Sequence, residues 1–268
     1  MHVNVNNAEN WGKFLFPITI TNINDKSYQC NNPLILIPIC DTMRKIYKSK
    51  NQDELIKFFD NVLETYKINL ADDDYFVKIS SISGKDVFTT DIFYDNIDEY
   101  WSILNELNTQ LIMKTTIDLC NYLLNSERIA NNIDSDEYIV FRKWIDYKVE
   151  NEFRCFIKNK SLVAISQYEY GNDLPEYMKL PDMITIVIGN FICKIHNIIP
   201  FNDIVIDVAI CMKTLNVYFI EFNEFGIYSD TDAGLYDWVH DHKILNGEQF
   251  MVDIRLFDEK YIEKKYEV

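Results

Sequence analysis

Two carboxylates stand inside apolar runs. Asp207 lies in Val205-Ile206-Asp207-Val208-Ala209, and Glu221 lies in Val217-Tyr218-Phe219-Ile220-Glu221-Phe222-Asn223. Both runs are rich in β-branched and aromatic residues, the composition of strands, and they are expected to face each other. An ionised group buried in such a run needs something to compensate its charge. Together with the carboxamide of Asn223, the two acids make an all-oxygen, hard-ligand set. That chemistry suits Mg²⁺ held beside nucleotide phosphates.

Cations suited to a polyphosphate occur upstream. Lys78 interrupts the apolar run Tyr75-Phe76-Val77-Lys78-Ile79, and Lys85 follows Ser83 and Gly84 in a small-residue loop. A strand lysine and a loop lysine can hold phosphates as point charges. On local sequence alone, an edge-strand lysine and a solvated hairpin tip explain the pair more simply.

The run Tyr138-Ile139-Val140-Phe141-Arg142-Lys143-Trp144-Ile145 is an apolar strand that ends in two cations and a tryptophan. Such a strand, leading into a hinge, can present backbone groups to an adenine edge while apolar and aromatic side chains cover the faces. It fits a core strand with a tryptophan under a loop equally well. In Glu152-Phe153-Arg154-Cys155-Phe156, strand alternation puts Glu152 and Arg154 on one face. An outward ion pair between them and an arginine aimed at phosphates both satisfy the pattern.

Other chemistries fall away. With seven glycines the chain has no GxGxxG and no P-loop, and no Gly-x-Ser-x-Gly elbow occurs. His240 and His242, beside Asp237 and Asp241, lie in a polar stretch and read as solvated surface rather than metal ligands. The six cysteines (Cys30, Cys40, Cys120, Cys155, Cys193 and Cys211) form no Cys-x-x-Cys pair. Buried, reduced thiols in a cytoplasmic protein are expected, not a zinc or disulfide framework. The net charge of −16 argues against broad nucleic-acid binding and favours basic partners. No run approaches the roughly 20 apolar residues of a membrane span, and Met1 to Asn7 lack signal-peptide features.

The elements that must position these residues are legible as periods. At 268 residues and 48% hydrophobic content, the chain can form one large domain or two small lobes. Strands are expected at 33–38, 75–79, 87–90, 138–145, 152–157 and 161–168, the last two joined as a hairpin at Lys158-Asn159-Lys160. Helices are expected at 52–66, within 97–126 and at 182–198. The irregular alternation of strands and helices points to the α+β class.

Taken together, the motifs resemble the cell division cycle protein 123 family. The resemblance rests on Val77-Lys78, Ser83-Gly84-Lys85-Asp86, Arg142-Lys143-Trp144, Glu152-Phe153-Arg154-Cys155-Phe156 and Leu162 to Gln167. It continues through Asp207, Ile220-Glu221-Phe222-Asn223, Thr231-Asp232 and Trp238, so it spans roughly residues 75–240. It implies an ATP-grasp fold, two lobes with mostly antiparallel sheets sandwiching ATP, here 1–140 and 141–268.

By the same resemblance, Lys78 binds the α-phosphate side and Lys85 sits with Ser83 on a flexible phosphate-covering loop. Arg142, Lys143, Trp144 and Ile145 form the adenine-side hinge, Arg154 faces the β- and γ-phosphates, and Asp207, Glu221 and Asn223 hold Mg²⁺. Lys85 and Arg154 are the expected catalytic cations. The chain departs from the family pattern in several places. Tyr168-Glu169 stand where the family has Arg-Asp, Glu221 stands in place of Asp, and Glu224 replaces a Pro.

Eukaryotic members of that family assist assembly of translation initiation factor 2 through its γ subunit. The resemblance therefore implies a monomeric, ATP–Mg²⁺-binding assembly factor with that subunit or another protein as partner. The alternative is an ATP-grasp ligase that activates an acid group on a protein, a small molecule or a nucleic-acid end through a phosphorylated intermediate. A nucleotide-free interaction module fits less well, because every phosphate and metal position keeps a competent residue type.

Overall fold

Among the described residues two sheets form, one packed on several helices and the other chiefly on one. The structure, a computed structural model, describes residues 34–88, 94–170, 172–197, 199, 201–229 and 231–257. In chain order the first part contains strand Ile35–Pro38 (β1), helices Asp41–Ser49 (α1) and Gln52–Tyr66 (α2), and strand Tyr75–Ile79 (β2). Helix Ile97–Thr109 (α3), strand Ile112–Met113 (β3), helices Thr116–Asn125 (α4) and Glu127–Asn132 (α5), and strand Tyr138–Lys143 (β4) follow. The second part comprises strands Glu152–Lys158 (β5) and Ser161–Gln167 (β6), helix Pro181–Ile195 (α6), and strands Ile204–Cys211 (β7) and Asn216–Asn223 (β8). Helix His242–Leu245 (α7) and strand Asp253–Arg255 (β9) close it. No helix among the described residues is long and apolar enough to cross a membrane.

The first sheet runs β1-β4-β2-β3 and is antiparallel throughout. The second runs β8-β7-β5-β6-β9, antiparallel except where β9 pairs parallel with β6. Strand alternation sorts the faces. On the first sheet Val77, Ile79, Ile139 and Phe141 point to a core shared with α1, α2 and α4, while Lys78, Val140 and Arg142 occupy the other face. On the second sheet Phe153, Cys155, Ile206 and Val208 pack on Ile184, Ile188, Phe191 and Ile192 of α6.

Local signals place the helices. Asn51 caps α2 by accepting from the Glu54 N–H at 3.2 Å, and Leu55, Phe59 and Leu63 recur on its buried side. Pro181 opens α6, where its fixed φ suits the first helical position.

The 52–66 helix, the β2 strand, the 158–160 hairpin and the facing acidic strands are found as expected, and the strand expected at 138–145 ends at Lys143. The expected 97–126 helical region is two helices separated by β3. One expectation fails: Val87 and Phe88 belong to a 3₁₀ turn, Lys85–Phe88, rather than a strand. Two tethers explain it. The Asp86 carboxylate accepts from Ser126 Oγ at 2.7 Å and from the Arg128 N–H at 3.2 Å, and the Gly84 N–H donates to Tyr122 Oη at 2.6 Å. These bonds hold the segment against the α4–α5 junction. Thr89 and Thr90 of that expected strand, and residues 1–33 with Cys30, lie outside the described residues.

Of the cysteines, Cys120 and Cys155 are buried and Cys211 is half-buried, but Cys40 and Cys193 are exposed. The expectation of buried thiols therefore holds for the first group only. All five are free thiols. His240 and His242 are exposed, as expected, with His240 3.1 Å from Asp237.

Candidate functional site

The register of the second sheet aligns one polar residue from each strand. Glu221 faces Asp207, Asp207 faces Arg154, Arg154 faces Ser166, and Ser166 faces Arg255. Directly opposed residues share a face, so the row lies opposite the α6 core.

A β-bulge puts the end of β8 into that row. Val208 pairs with Phe219 and Asp207 with Glu221, which leaves Ile220 as the extra residue. Strict alternation from the buried Val217 and Phe219 would have turned Glu221 into the core and Phe222 out. The bulge resets the phase, sending Phe222 into the core and Glu221 and Asn223 to the polar face.

Arg154 and Asp207 form a bidentate pair, Nε to Oδ1 and Nη2 to Oδ2, each at 2.9 Å. Asp207 is wholly buried, and Asn223 Nδ2 also donates to its Oδ2 at 2.8 Å. The third arm of the guanidinium, Nη1, donates to the Asp232 carbonyl at 2.6 Å. Burial pushes the Asp207 carboxyl up, opposed by the Arg154 charge. Burial opposes the charge on Arg154, but Asp207 holds its pKa above the ordinary value.

Two further contacts join the sheets. Lys78 Nζ lies 3.3 Å from Glu221 Oε2, and Arg142 Nη1 donates to the bulged Ile220 carbonyl at 2.7 Å. Burial works against ionisation of Glu221, yet Lys78, Lys85 and Arg142 hold its carboxyl down at about 2. Arg142 stacks over the Phe76 ring at 5.2 Å, and its buried Nε finds no hydrogen-bond partner among the described residues.

Two cavities share Lys78, Ser83, Lys85 and Glu221 as walls. The smaller, about 40 Å³, is lined on its apolar side by Leu34, Phe76, Trp144, Ile145 and Ile220. The larger, about 890 Å³, is polar and adds Arg154, Tyr168, Asn223 and Thr231, whose buried hydroxyl has no hydrogen-bond partner among the described residues. An apolar wall facing cations is a chemistry that suits a base and its phosphates. Among the described residues no three His, Cys, Asp or Glu side chains converge on a metal position. The row offers two carboxylates and a carboxamide, which fits Mg²⁺, an ion that takes one or two carboxylates and completes its shell with phosphates and water.

Nearly all the residues expected from sequence thus converge, with one exception. Lys143 pairs across the sheet with Tyr75 on the helix-side face, and its Nζ lies 2.9 Å from Asp73. Alternation turns its side chain away from the cavities that Arg142 lines. The Glu152–Arg154 ion pair weighed from sequence is absent, because Arg154 takes Asp207 and Glu152 accepts from Tyr147 Oη at 2.9 Å. Burial lifts the Glu152 carboxyl to about 7, against the pull of Lys85 and with help from Asp207. Tyr168, noticed in the sequence only as a departure, presents its ring 5.0 Å from the Arg154 guanidinium and 5.7 Å from Lys85 Nζ. Its place two residues after Ser166 was the available signal, since both then lie on Arg154's face.

The model of the D123 family matches residues 105–267. A CDC123-like protein of Acanthamoeba polyphaga mimivirus is 30% identical over 178 residues, covering 63% of this chain and 51% of the relative. A translation initiation factor eIF2 assembly protein of Danio rerio is 35% identical over 101 residues, covering 37% of this chain and 28% of the relative. The chain thus spans about half the length of the first of these relatives and less of the second. The solved structure of C-terminally truncated Cdc123 from Schizosaccharomyces pombe superposes with a TM-score of 0.67 at 20% identity, covering 97% of this chain and 100% of that one. The chain therefore shares its mixed α+β, antiparallel-rich fold with that structure.

Proposed function

Because this chain belongs to the D123 family, we propose that it binds ATP with Mg²⁺ between its two sheets, as an ATP-grasp protein, and assists assembly of translation initiation factor 2. The observation that carries the reading is the meeting of Lys78, Lys85 and Arg154 with Asp207, Glu221 and Asn223 beside a cavity with one apolar wall. In this reading residues 1–140 and 141–268 are the two lobes. Arg142, Trp144 and Ile145 hold the base. Lys78 and Lys85 bind phosphates from the first lobe, and Arg154 binds them from the second. Asp207, Glu221 and Asn223 would hold Mg²⁺, which when bound would neutralise phosphate charge. Relatives named as eIF2 assembly proteins support the assembly role, with the γ subunit of that factor as the proposed partner.

A second reading rests on the polar cavity. At about 890 Å³ it lies near the top of the roughly 300–1,000 Å³ range of small-molecule sites, giving room for an acid-bearing acceptor beside the phosphates. The two readings separate in one experiment with purified γ subunit, the chain, ATP and Mg²⁺. The assembly reading expects ATP-dependent co-precipitation with little nucleotide turnover. Failure to co-precipitate, with ADP or AMP released in proportion to an added acceptor, would transfer the assignment to a ligase.

A further inference from the structure

Both oxygens of Asp207 are occupied. Oδ1 accepts from Arg154 Nε, and Oδ2 accepts from Arg154 Nη2 and Asn223 Nδ2. The carboxylate is fully buried, whereas Arg154 and Asn223 line the polar cavity and so cover it. We infer that Arg154 reserves Asp207, releasing it to a divalent cation only when phosphate replaces the carboxylate on the guanidinium. This inference rests on the ATP–Mg²⁺ reading above.

Charge makes the exchange obligatory. A divalent cation arriving alone would have to pull Asp207 from Arg154 and leave a buried guanidinium unpaired, a strongly unfavourable state. A phosphate arriving alone would strand Asp207 in the same way. When both arrive, each partner is replaced by one of like charge: phosphate takes the bidentate place of the carboxylate on Arg154, and the cation takes the place of Arg154 on Asp207. The anchorage of Arg154 suits this role. Its Nη1 bond to the Asp232 carbonyl and the Tyr168 ring beneath it involve neither Asp207 oxygen, so the guanidinium can stay at the cavity wall while its Nε–Nη2 edge changes partner. Nucleotide and metal therefore bind as a unit, each raising the other's affinity by the same factor, roughly 5–150-fold.

Manganese provides a readout that does not depend on activity, since the free ion is counted by its electron paramagnetic resonance signal. The protein without nucleotide should leave Mn²⁺ free at concentrations where the protein with ATP takes up more Mn²⁺ than the same ATP does without protein. Arg154→Gln should bind Mn²⁺ without ATP at least about tenfold more tightly than wild type, with the coupling to ATP largely lost. Adding Asp207→Asn to that variant should remove the gain. Wild-type protein that binds Mn²⁺ equally well with and without ATP overturns the inference and leaves the nucleotide site intact. So does a folded Arg154→Gln, judged by its melting transition, with no gain in Mn²⁺ binding. If Arg154→Gln does not fold, the wild-type comparison decides alone. Wild type that binds no ATP in calorimetry removes the underlying reading and this inference with it.

Discussion

Lys78 and Glu221 meet between the two sheets, the ammonium of β2 lying 3.3 Å from a carboxylate oxygen that a bulge in β8 has turned outward. Both side chains line the two cavities, so one contact ties the sheets together at the place where phosphates are proposed to bind. The Lys78→Ala variant should weaken ATP–Mg²⁺ binding several-fold and lower the melting temperature only modestly, because Lys85 and Arg142 still offset the charge of Glu221. A large drop in melting temperature without nucleotide, with ATP affinity intact, would make Lys78 a structural residue only.

The same pair fixes a pH dependence. Although burial raises it, the Glu221 carboxyl is held at about 2 by Lys78, Lys85 and Arg142, against an ordinary 4.5. A carboxyl depressed in the fold stabilises it above the ordinary carboxylate range and loses that contribution as pH falls toward the folded value. The melting-temperature advantage of wild type over Glu221→Gln should shrink on going from about pH 6 to about pH 3. A difference that stays constant over that range contradicts the ion pair.

Glu152 predicts the opposite slope. Burial lifts its carboxyl from 4.5 to about 7, so the fold binds a proton that the unfolded chain has released. Its contribution to stability should fall as pH rises from about 4.5 through about 7. Glu152→Gln, which keeps a partner for the Tyr147 hydroxyl, should therefore gain melting temperature relative to wild type as pH rises through neutrality. An equal offset at pH 5 and pH 8 would show that Glu152 ionises normally.

The Arg154–Asp207 pair allows stability to be separated from binding. Removing either partner alone leaves a buried charge and should cost about 3–5 kcal/mol in urea unfolding. Replacing both, as Arg154→Met with Asp207→Leu, should restore most of that loss, because apolar pairs of similar volume often match or exceed a buried ion pair. The double variant should fold yet bind no ATP with Mg²⁺. ATP–Mg²⁺ binding by the double variant would show that the pair is purely structural.

What the sequence disclosed follows from the range of its signals. Periodicity over a few residues located α2, α6 and the strands that carry Lys78, Arg154, Asp207 and Glu221, because one buried face suffices to reveal each. The facing of Asp207 and Glu221 was also legible, since the two strands are separated only by the short turn Met212 to Leu215. The partner of Arg154 was not: Asp207 lies 53 residues away, and nothing local distinguishes it from Glu152, two residues off on the same face. The bulge at Ile220 was equally hidden, being a property of register between strands. Lys143 was misplaced because adjacent cations at the end of β4 carry no mark of which one faces the cleft until the sheet has a buried side. The strand expected at 87–90 failed on the Asp86–Ser126 and Gly84–Tyr122 bonds, both long-range.

Asp207 is proposed to support a Mg²⁺-dependent ATP site between the sheets. Calorimetric titration of ATP into wild type and Asp207→Asn, each with and without Mg²⁺, tests it most directly. Wild type should bind ATP with Mg²⁺ and far more weakly without it, and Asp207→Asn should lose the Mg²⁺-dependent binding while still unfolding in a cooperative transition. Asp207→Asn binding ATP–Mg²⁺ with wild-type affinity, or wild type indifferent to Mg²⁺, would contradict it.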